Sequence, residues 1–115
     1  MKVSQKVRYG LDCLFELSKS PAEYVDGERL ATKRGIPPAY AQKVLQTLTH
    51  AGLLFSQKGL GYRIARPLQD ITALEVINAL SREEQSFVFV GAGHVLEMKI
   101  NNTLASVTLD ALNAA

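Results

Sequence analysis

The stretch Gly35-Ile36-Pro37-Pro38 constrains this chain more than any other. Glycine is the least costly residue in the left-handed position that closes a helix, and proline in a first helical turn loses no hydrogen bond. One helix therefore ends and another begins within about three residues, the spacing of a helix-turn-helix. Upstream, Asp26 is a suitable N-cap for a helix running through Arg34. Downstream, Ala41, Val44, Leu45 and Leu48 make the apolar face of a helix that starts at the prolines and reaches about Ala51, with Gly52 closing it. Before both, Val3, Val7, Leu11, Leu14, Phe15 and Ser18 follow one helical face over residues 4–19, with Ser4 as N-cap and Ser20-Pro21 as the stop. Residues 23–25 form a short extended connection.

After Gly52 the period changes from 3.6 to 2. Residues 54–57 and 62–65 flank Lys58-Gly59-Leu60-Gly61, which predicts a β-hairpin with a glycine-bearing tip. Thr72, with Glu75 three positions on, is a capping box leading into Val76, Ile77 and Leu80. Residues 81–93 have no settled period: the first part is polar, Phe87-Val88-Phe89-Val90 has strand composition, and Gly91-Ala92-Gly93 is a breaker. From about His94 to Ala115 a helical pattern returns, carrying Val95, Met98, Ile100, Leu104, Val107, Leu109 and Leu112. No internal repeat is present. The expected fold is mainly α with a small β-hairpin: a winged helix-turn-helix over residues 1–80, then a linker and a last helix over 81–115.

Composition narrows the class. A chain of 115 residues with 47% apolar and 21% charged residues fits one globular domain and excludes a disordered or fibrous protein. No apolar run approaches the roughly 18 residues of a membrane span, and the charged N-terminus lacks the apolar stretch of a signal peptide. A single cysteine, Cys13, excludes an internal disulfide and any cluster held by several thiolates of one chain. A reducing cytoplasm is the expected setting, with no membrane partner. Residues 1–66 hold eleven Lys/Arg against five Asp/Glu, a balance of +6, whereas residues 67–115 hold two against six, or −4. A polyanion partner is therefore expected for the first part alone. Catalysis is not expected, because the chain has no nucleophile motif, no phosphate loop and no acid–base pair with an orienting group.

Three helices followed by a hairpin is the winged helix-turn-helix order, in which the helix after the tight turn lies in the major groove of double-stranded DNA. On that helix Ala39, Gln42, Lys43 and Gln46 face away from the apolar side and are the candidate base contacts, with His50 further along. Gln pairs bidentately with adenine, and Lys donates to guanine acceptors or to phosphate. Candidate phosphate or wing contacts are Lys2, Ser4, Lys6, Arg8 and Tyr9 on helix one, Arg29, Lys33 and neighbouring Arg34 on helix two, Tyr40, and Lys58 with Arg63 on the hairpin. Tyr9 and Tyr40 suit either phosphate contact or half-buried packing. Cys13 is read as a small buried hydrophobe, and His94 as a loop or helix-start residue; no metal site and no cofactor is expected.

The opening Met1-Lys2-Val3-Ser4-Gln5-Lys6-Val7-Arg8-Tyr9-Gly10-Leu11 resembles the start of the Rrf-two family of bacterial transcription regulators. Leu30-Ala31, Gly35-Ile36-Pro37-Pro38-Ala39-Tyr40, Ala51-Gly52-Leu53-Leu54 and Gly61-Tyr62-Arg63-Ile64-Ala65 are similar too, as are Ile71-Thr72 and Leu104-Ala105-Ser106-Val107-Thr108-Leu109. The resemblance covers nearly the whole chain and implies a homodimeric, winged-helix DNA-binding regulator; the leading expectation is a repressor that reads a pseudo-palindromic operator. Its long last helix would form the dimer interface, here through Val95, Met98, Leu104, Val107, Leu109 and Leu112. Sensing members carry three cysteines between the fourth helix and the dimerisation helix, but residues 81–95 here contain none. The resemblance therefore implies no iron–sulfur cluster, and it leaves a small-molecule or protein effector unspecified. The hairpin tip is about two residues shorter than the family's glycine-rich wing, and Gln42-Lys43 stand where many members have Glu-Gln. The competing reading is a winged-helix module that binds protein and not DNA.

Overall fold

The computed structural model describes residues 5–80, 86–91, 94–99 and 107–114. Helix α1 (Gln5–Ser18) turns Val7, Leu11, Leu14 and Leu17 into the core, one face of a 3.6-residue repeat. Val3 and the expected cap Ser4 lie outside the described residues. Helix α2 (Gly27–Arg34) starts at Asp26, whose carboxylate accepts from the Arg29 amide at 3.4 Å. It ends at Gly35, φ 66°, and the next amide, Ile36 N–H, donates back to the Ala31 carbonyl at 2.9 Å. That reversal satisfies orphan carbonyls and drops buried Ile36 into the core. Helix α3 (Pro38–His50) follows at once and buries Ala41, Val44, Leu45 and Leu48, the four residues its spacing predicts.

Strands β1 (Leu54–Gln57) and β2 (Gly61–Ile64) pair antiparallel, with Leu54 opposite Ile64 and Gln57 opposite Gly61. The extended residues before α2 join them. Val25 N–H donates to the Tyr62 carbonyl at 2.7 Å, and Tyr62 N–H returns a bond to Val25 at 2.9 Å. An isolated hairpin is marginal in water, so this third rung, made by residues far away in sequence, joins the burial of Leu54 and Ile64 in fixing the wing to the helical body. Gly61 makes the approach possible: its φ is 111°, and a Cβ there would overlap the Val25 carbonyl oxygen.

A short 3₁₀ turn (Leu68–Asp70) leads to α4 (Ala73–Leu80). The capping box forms as the sequence predicts, with Thr72 N–H donating to Glu75 Oε1 at 3.1 Å and Glu75 N–H donating to Thr72 Oγ1 at 3.2 Å. Arg66 closes the arrangement by donating to the other Glu75 oxygen. Helix α1 packs against α2, α3 and α4, and Leu14, Leu17, Leu30, Leu45, Leu48, Leu53 and Ile77 are fully buried between them. Among the described residues no helix is long and apolar enough to cross a membrane.

The C-terminal part departs from the helix expected from residue 94. Strand β3 (Ser86–Gly91) pairs antiparallel with β4 (His94–Lys99), in register from Ser86↔Lys99 to Gly91↔His94. Val95 and Met98, expected on a helix, therefore stand on β4, opposite Val90 and Phe87. The helical reading weighed apolar spacing alone. Phe87-Val88-Phe89-Val90 is a strand composition whose backbone needs a partner. Leu104 lies outside the described residues. Helix α5 (Leu109–Ala114) is only six residues long. Its entry is tied to α4 by Ala73 N–H donating to Val107 and Leu109 N–H donating to Ile71, both at 2.8 Å. Leu109 and Leu112, assigned above to a partner surface, are buried in this chain's own core, with Val107 packed at its edge.

Candidate nucleic-acid interface

Helix α3 presents two faces because its apolar residues recur every three or four positions. With Ala41, Val44, Leu45 and Leu48 inside, Ala39, Gln42, Lys43, Gln46 and His50 are left exposed on the opposite side. Ala39 and Gln42 line a cleft of about 520 Å3 between the start of α2, the first half of α3 and the wing. Lys58 and Gly59 stand on its wing side, and Leu45 and Tyr62 reach into it from below. Lys43 and Gln46 continue the exposed row of α3 outside the cleft.

The two helix starts that meet at the cleft are not alike. Asp26 and Glu28 supply negative charge to the first turn of α2, which offsets the positive end of its dipole. Helix α3 has Pro37 as its cap residue, no side-chain cap hydrogen bond and no acid in its first turn. Its first amides are left to solvent or an anion, so the electrostatically open start belongs to the helix that carries Gln42 and Lys43. Sequence reasoning did not place Asp26, Glu28, Ser56 or Gln57 at this cleft, although all four line it. The missing signal is the Val25–Tyr62 bridge, which sets the wing beside the α2 start and cannot be read from local periodicity.

The cations expected to meet phosphate separate into distinct groups. Arg34 is shared between two acids of α1, with Nε 3.0 Å from Glu16 and Nη1 3.6 Å from Asp12. Lys33 lies 3.6 Å and Lys19 3.3 Å from the same Glu16. Burial acts to raise the Glu16 pKa, but the hydrogen bond and charge of Lys19 and the charge of Arg34 outweigh it and hold the carboxyl below its usual range. At Asp12 burial prevails over Arg34 and Arg8, and the pKa is raised. By contrast Lys6, Arg29, Lys43 and Lys58 are exposed and make no ion pair among the described residues. Lys2 and Ser4 lie outside the described residues.

The aromatic candidates pack against their own chain. Tyr9 is 8% exposed, meets Tyr40 edge-on at 5.1 Å between centroids, and accepts a hydrogen bond from Gln5 Nε2 at 2.9 Å. The Arg8 guanidinium sits 5.6 Å from the Tyr9 ring. Arg63 is stacked on the wing, 4.9 Å from the Phe55 ring and 5.4 Å from the Tyr24 ring. Phe55 is its cross-strand neighbour in the hairpin register. Cys13 is fully buried on α1, and burial with the nearby Asp12 charge pushes its thiol up to about 12.

Comparison with known proteins places this architecture. A family model described as Rrf2, iron-dependent transcriptional regulator, matches residues 3–115. The HTH-type transcriptional regulator IscR of Cereibacter sphaeroides is 32% identical over 98 residues, covering 81% of this chain and 63% of that protein. Protein rrf2 of Nitratidesulfovibrio vulgaris is 31% identical over 87 residues, covering 73% and 58%. The chain thus spans about six tenths of the length of the curated relatives it matches. Among solved structures, CymR, the global cysteine regulator of B. subtilis, is similar with a TM-score of 0.74 and 25% identity, covering 100% of this chain and 98% of that one. The T. potens IscR structure gives a TM-score of 0.71 at 25% identity, covering 97% and 85%.

The family description names iron, but the residues present do not fit an iron–sulfur cluster held in the family's manner. The one cysteine is sealed inside α1 as an un-ionised thiol, and residues 81–95 supply none. Among the described residues no group of three or more His, Cys, Asp or Glu is arranged to hold a metal ion. The helix-turn-helix with its anchored wing, the match along nearly the whole length and the likeness to CymR and IscR agree: this chain belongs to the Rrf2 family of transcriptional regulators.

Proposed function

We propose that this chain is a sequence-specific DNA-binding regulator, a repressor that acts as a homodimer on a pseudo-palindromic operator and uses no iron–sulfur cluster. One observation carries the reading: the first half of α3 and the wing flank one cleft, with Lys58 on its wall and Lys43 further along the exposed face of α3, and neither lysine makes an ion pair among the described residues. In this reading α3 lies in the major groove, where Gln42 pairs with adenine and Lys43 donates to guanine acceptors or phosphate, flanked by Ala39 and Gln46. Lys58 meets the backbone from the wing, and Lys6, Arg8 and Arg29 supply further phosphate contacts with no sequence preference. The relatives are transcriptional regulators, and no catalytic role is assigned to the chain. Work on DNA fits a cytoplasmic setting.

The dimer follows from the geometry of the duplex. One winged helix reads one half-site, and two copies related by a two-fold axis read half-sites about one helical turn, or a multiple, apart. With Leu109 and Leu112 in the chain's own core, the partner surface is assigned to the β3–β4 segment that carries Val95 and Met98. The test is a fluorescence-anisotropy titration against the DNA upstream of the chain's own gene, with scrambled DNA as control, across a salt series. Tighter binding to the native fragment with a steep salt slope supports the reading, and Gln42→Ala is expected to remove most of the discrimination. No binding to either fragment at low salt overturns it in favour of a protein-docking module.

A further inference from the structure

Leucine is the main core residue of this molecule, and one leucine breaks the pattern. Leu60 is 52% exposed, whereas every other leucine with a described side chain is buried or half-buried. Its position is fixed. The hairpin closes over Lys58-Gly59-Leu60, with Leu60 N–H donating to the Gln57 carbonyl at 3.0 Å and Gly59, at φ 84°, in the left-handed region that suits glycine. On the other side Gly61 is pinned against Val25. The wing therefore holds out an apolar side chain between two constrained glycines, two residues from Lys58, which makes no ion pair among the described residues. Polar residues suit a solvated turn better than leucine does, and this leucine follows directly on Lys58 and Gly59, which line the cleft.

What covers it follows from the cleft and rests on the reading above. Major and minor grooves are separated by one sugar–phosphate strand. With α3 in the major groove and that strand running along the Lys58 wall of the cleft, away from Asp26 and Glu28 at the α2 start, the wing tip stands at the adjacent minor groove. Lys58 draws the tip toward phosphate, and the apolar residue two positions on meets sugars and base edges. We propose that Leu60 is an apolar wedge in the minor groove of the bound duplex, opening a flexible base step and bending the DNA. Specificity from Leu60 is then of a different kind from that of Gln42: it reads deformability, and favours a pyrimidine–purine step under the tip.

The test uses the full chain and the duplex that in vitro selection on it returns, with a donor and an acceptor dye at the two ends to report bending. Leu60→Ser is expected to melt as the parent does, to bind about fivefold more weakly and to keep the parent's salt slope. It also loses most of the bend and no longer distinguishes the selected step from a stiff G·C replacement. Lys58→Ala is the control: it lowers the salt slope and keeps the step preference. A Leu60→Ser protein that binds, bends and discriminates as the parent does overturns the wedge while leaving DNA binding in place. Selection that enriches no duplex, with no binding at low salt, overturns the DNA-binding reading and the wedge with it. Binding without any bend by the parent overturns the wedge alone.

Discussion

Lys33 and Arg34, in the last turn of α2, carry the same charge as Lys43 and Lys58 on α3 and the wing, but they serve different ends. The first pair is drawn inward: Glu16 is 13% exposed and Arg34 25%, and with Asp12 they bind α1 to α2. The second pair faces solvent, Lys58 on the cleft wall and Lys43 on the outer face of α3, and makes no ion pair among the described residues. A basic balance of +6 over residues 1–66 is therefore not a measure of the surface offered to a polyanion. Part of it is structural, and only geometry separates the two parts. Acids at Asp12 and Glu16, one helical turn apart, are the counterpart on α1 that holds the structural share.

Four perturbations sharpen or break this division. The largest effect is expected from Arg34→Ala, which removes the ion pair of Asp12 and leaves the partly buried Glu16 to Lys19 and Lys33 alone. Urea unfolding should show a loss of about 2 kcal/mol, between the value of an exposed pair and that of a buried one, with the salt slope of DNA binding unchanged. A fallen slope would put Arg34 on the phosphate side of the division. Next, Lys43→Ala and Lys58→Ala should each weaken duplex binding about tenfold and reduce the salt slope by about 0.9, while changing unfolding free energy by no more than about 0.5 kcal/mol.

A third, smaller effect concerns Glu75. Burial acts to raise its pKa, but hydrogen bonds from Arg66 and Thr72 prevail and leave the carboxyl below its ordinary 4.5. A lowered folded-state value means that the contribution is fully present above pH 4.5 and fades as pH falls through the folded value. Glu75→Gln keeps the cap acceptor and loses a solvent-screened charge, so it should cost about 0.5 kcal/mol at neutral pH, and the difference from the parent should close in acid. A difference independent of pH would show that the ionised cap contributes nothing. The smallest effect is at Cys13. With its thiol at about 12 and its side chain buried, peroxide should leave DNA binding unchanged, and DTNB should react only once urea unfolds the chain. Rapid reaction in the native state would make α1 a redox element.

Most of the body was legible because local signals and burial agreed. Gly35 and the prolines fixed the turn, the period of α3 assigned its inner face correctly at every apolar position, and Thr72 with Glu75 marked the start of α4. What escaped was non-local. The Val25–Tyr62 bridge joins residues far apart in sequence, and it decides which α2 residues stand at the cleft. The pairing of Lys33 and Arg34 with α1 depends on how two helices pack, which a charge count ignores. In the C-terminal part, apolar residues fell at helical spacing by composition alone, and the strand character of residues 87–90 was the better guide to β4. The chemistry of α3 follows from its place after the turn, whereas the stacking of Arg63 on the wing's own rings depends on tertiary packing.

The most direct measurement of the central claim is an NMR titration of 15N-labelled protein with the selected duplex, followed amide by amide at low and moderate salt. The account predicts shifts concentrated in the first half of α3 and in residues 57–62, with Asp12, Glu16, Lys33 and Arg34 unmoved. Shifts centred on the end of α2 and the facing turns of α1, with α3 and the wing silent, would contradict it.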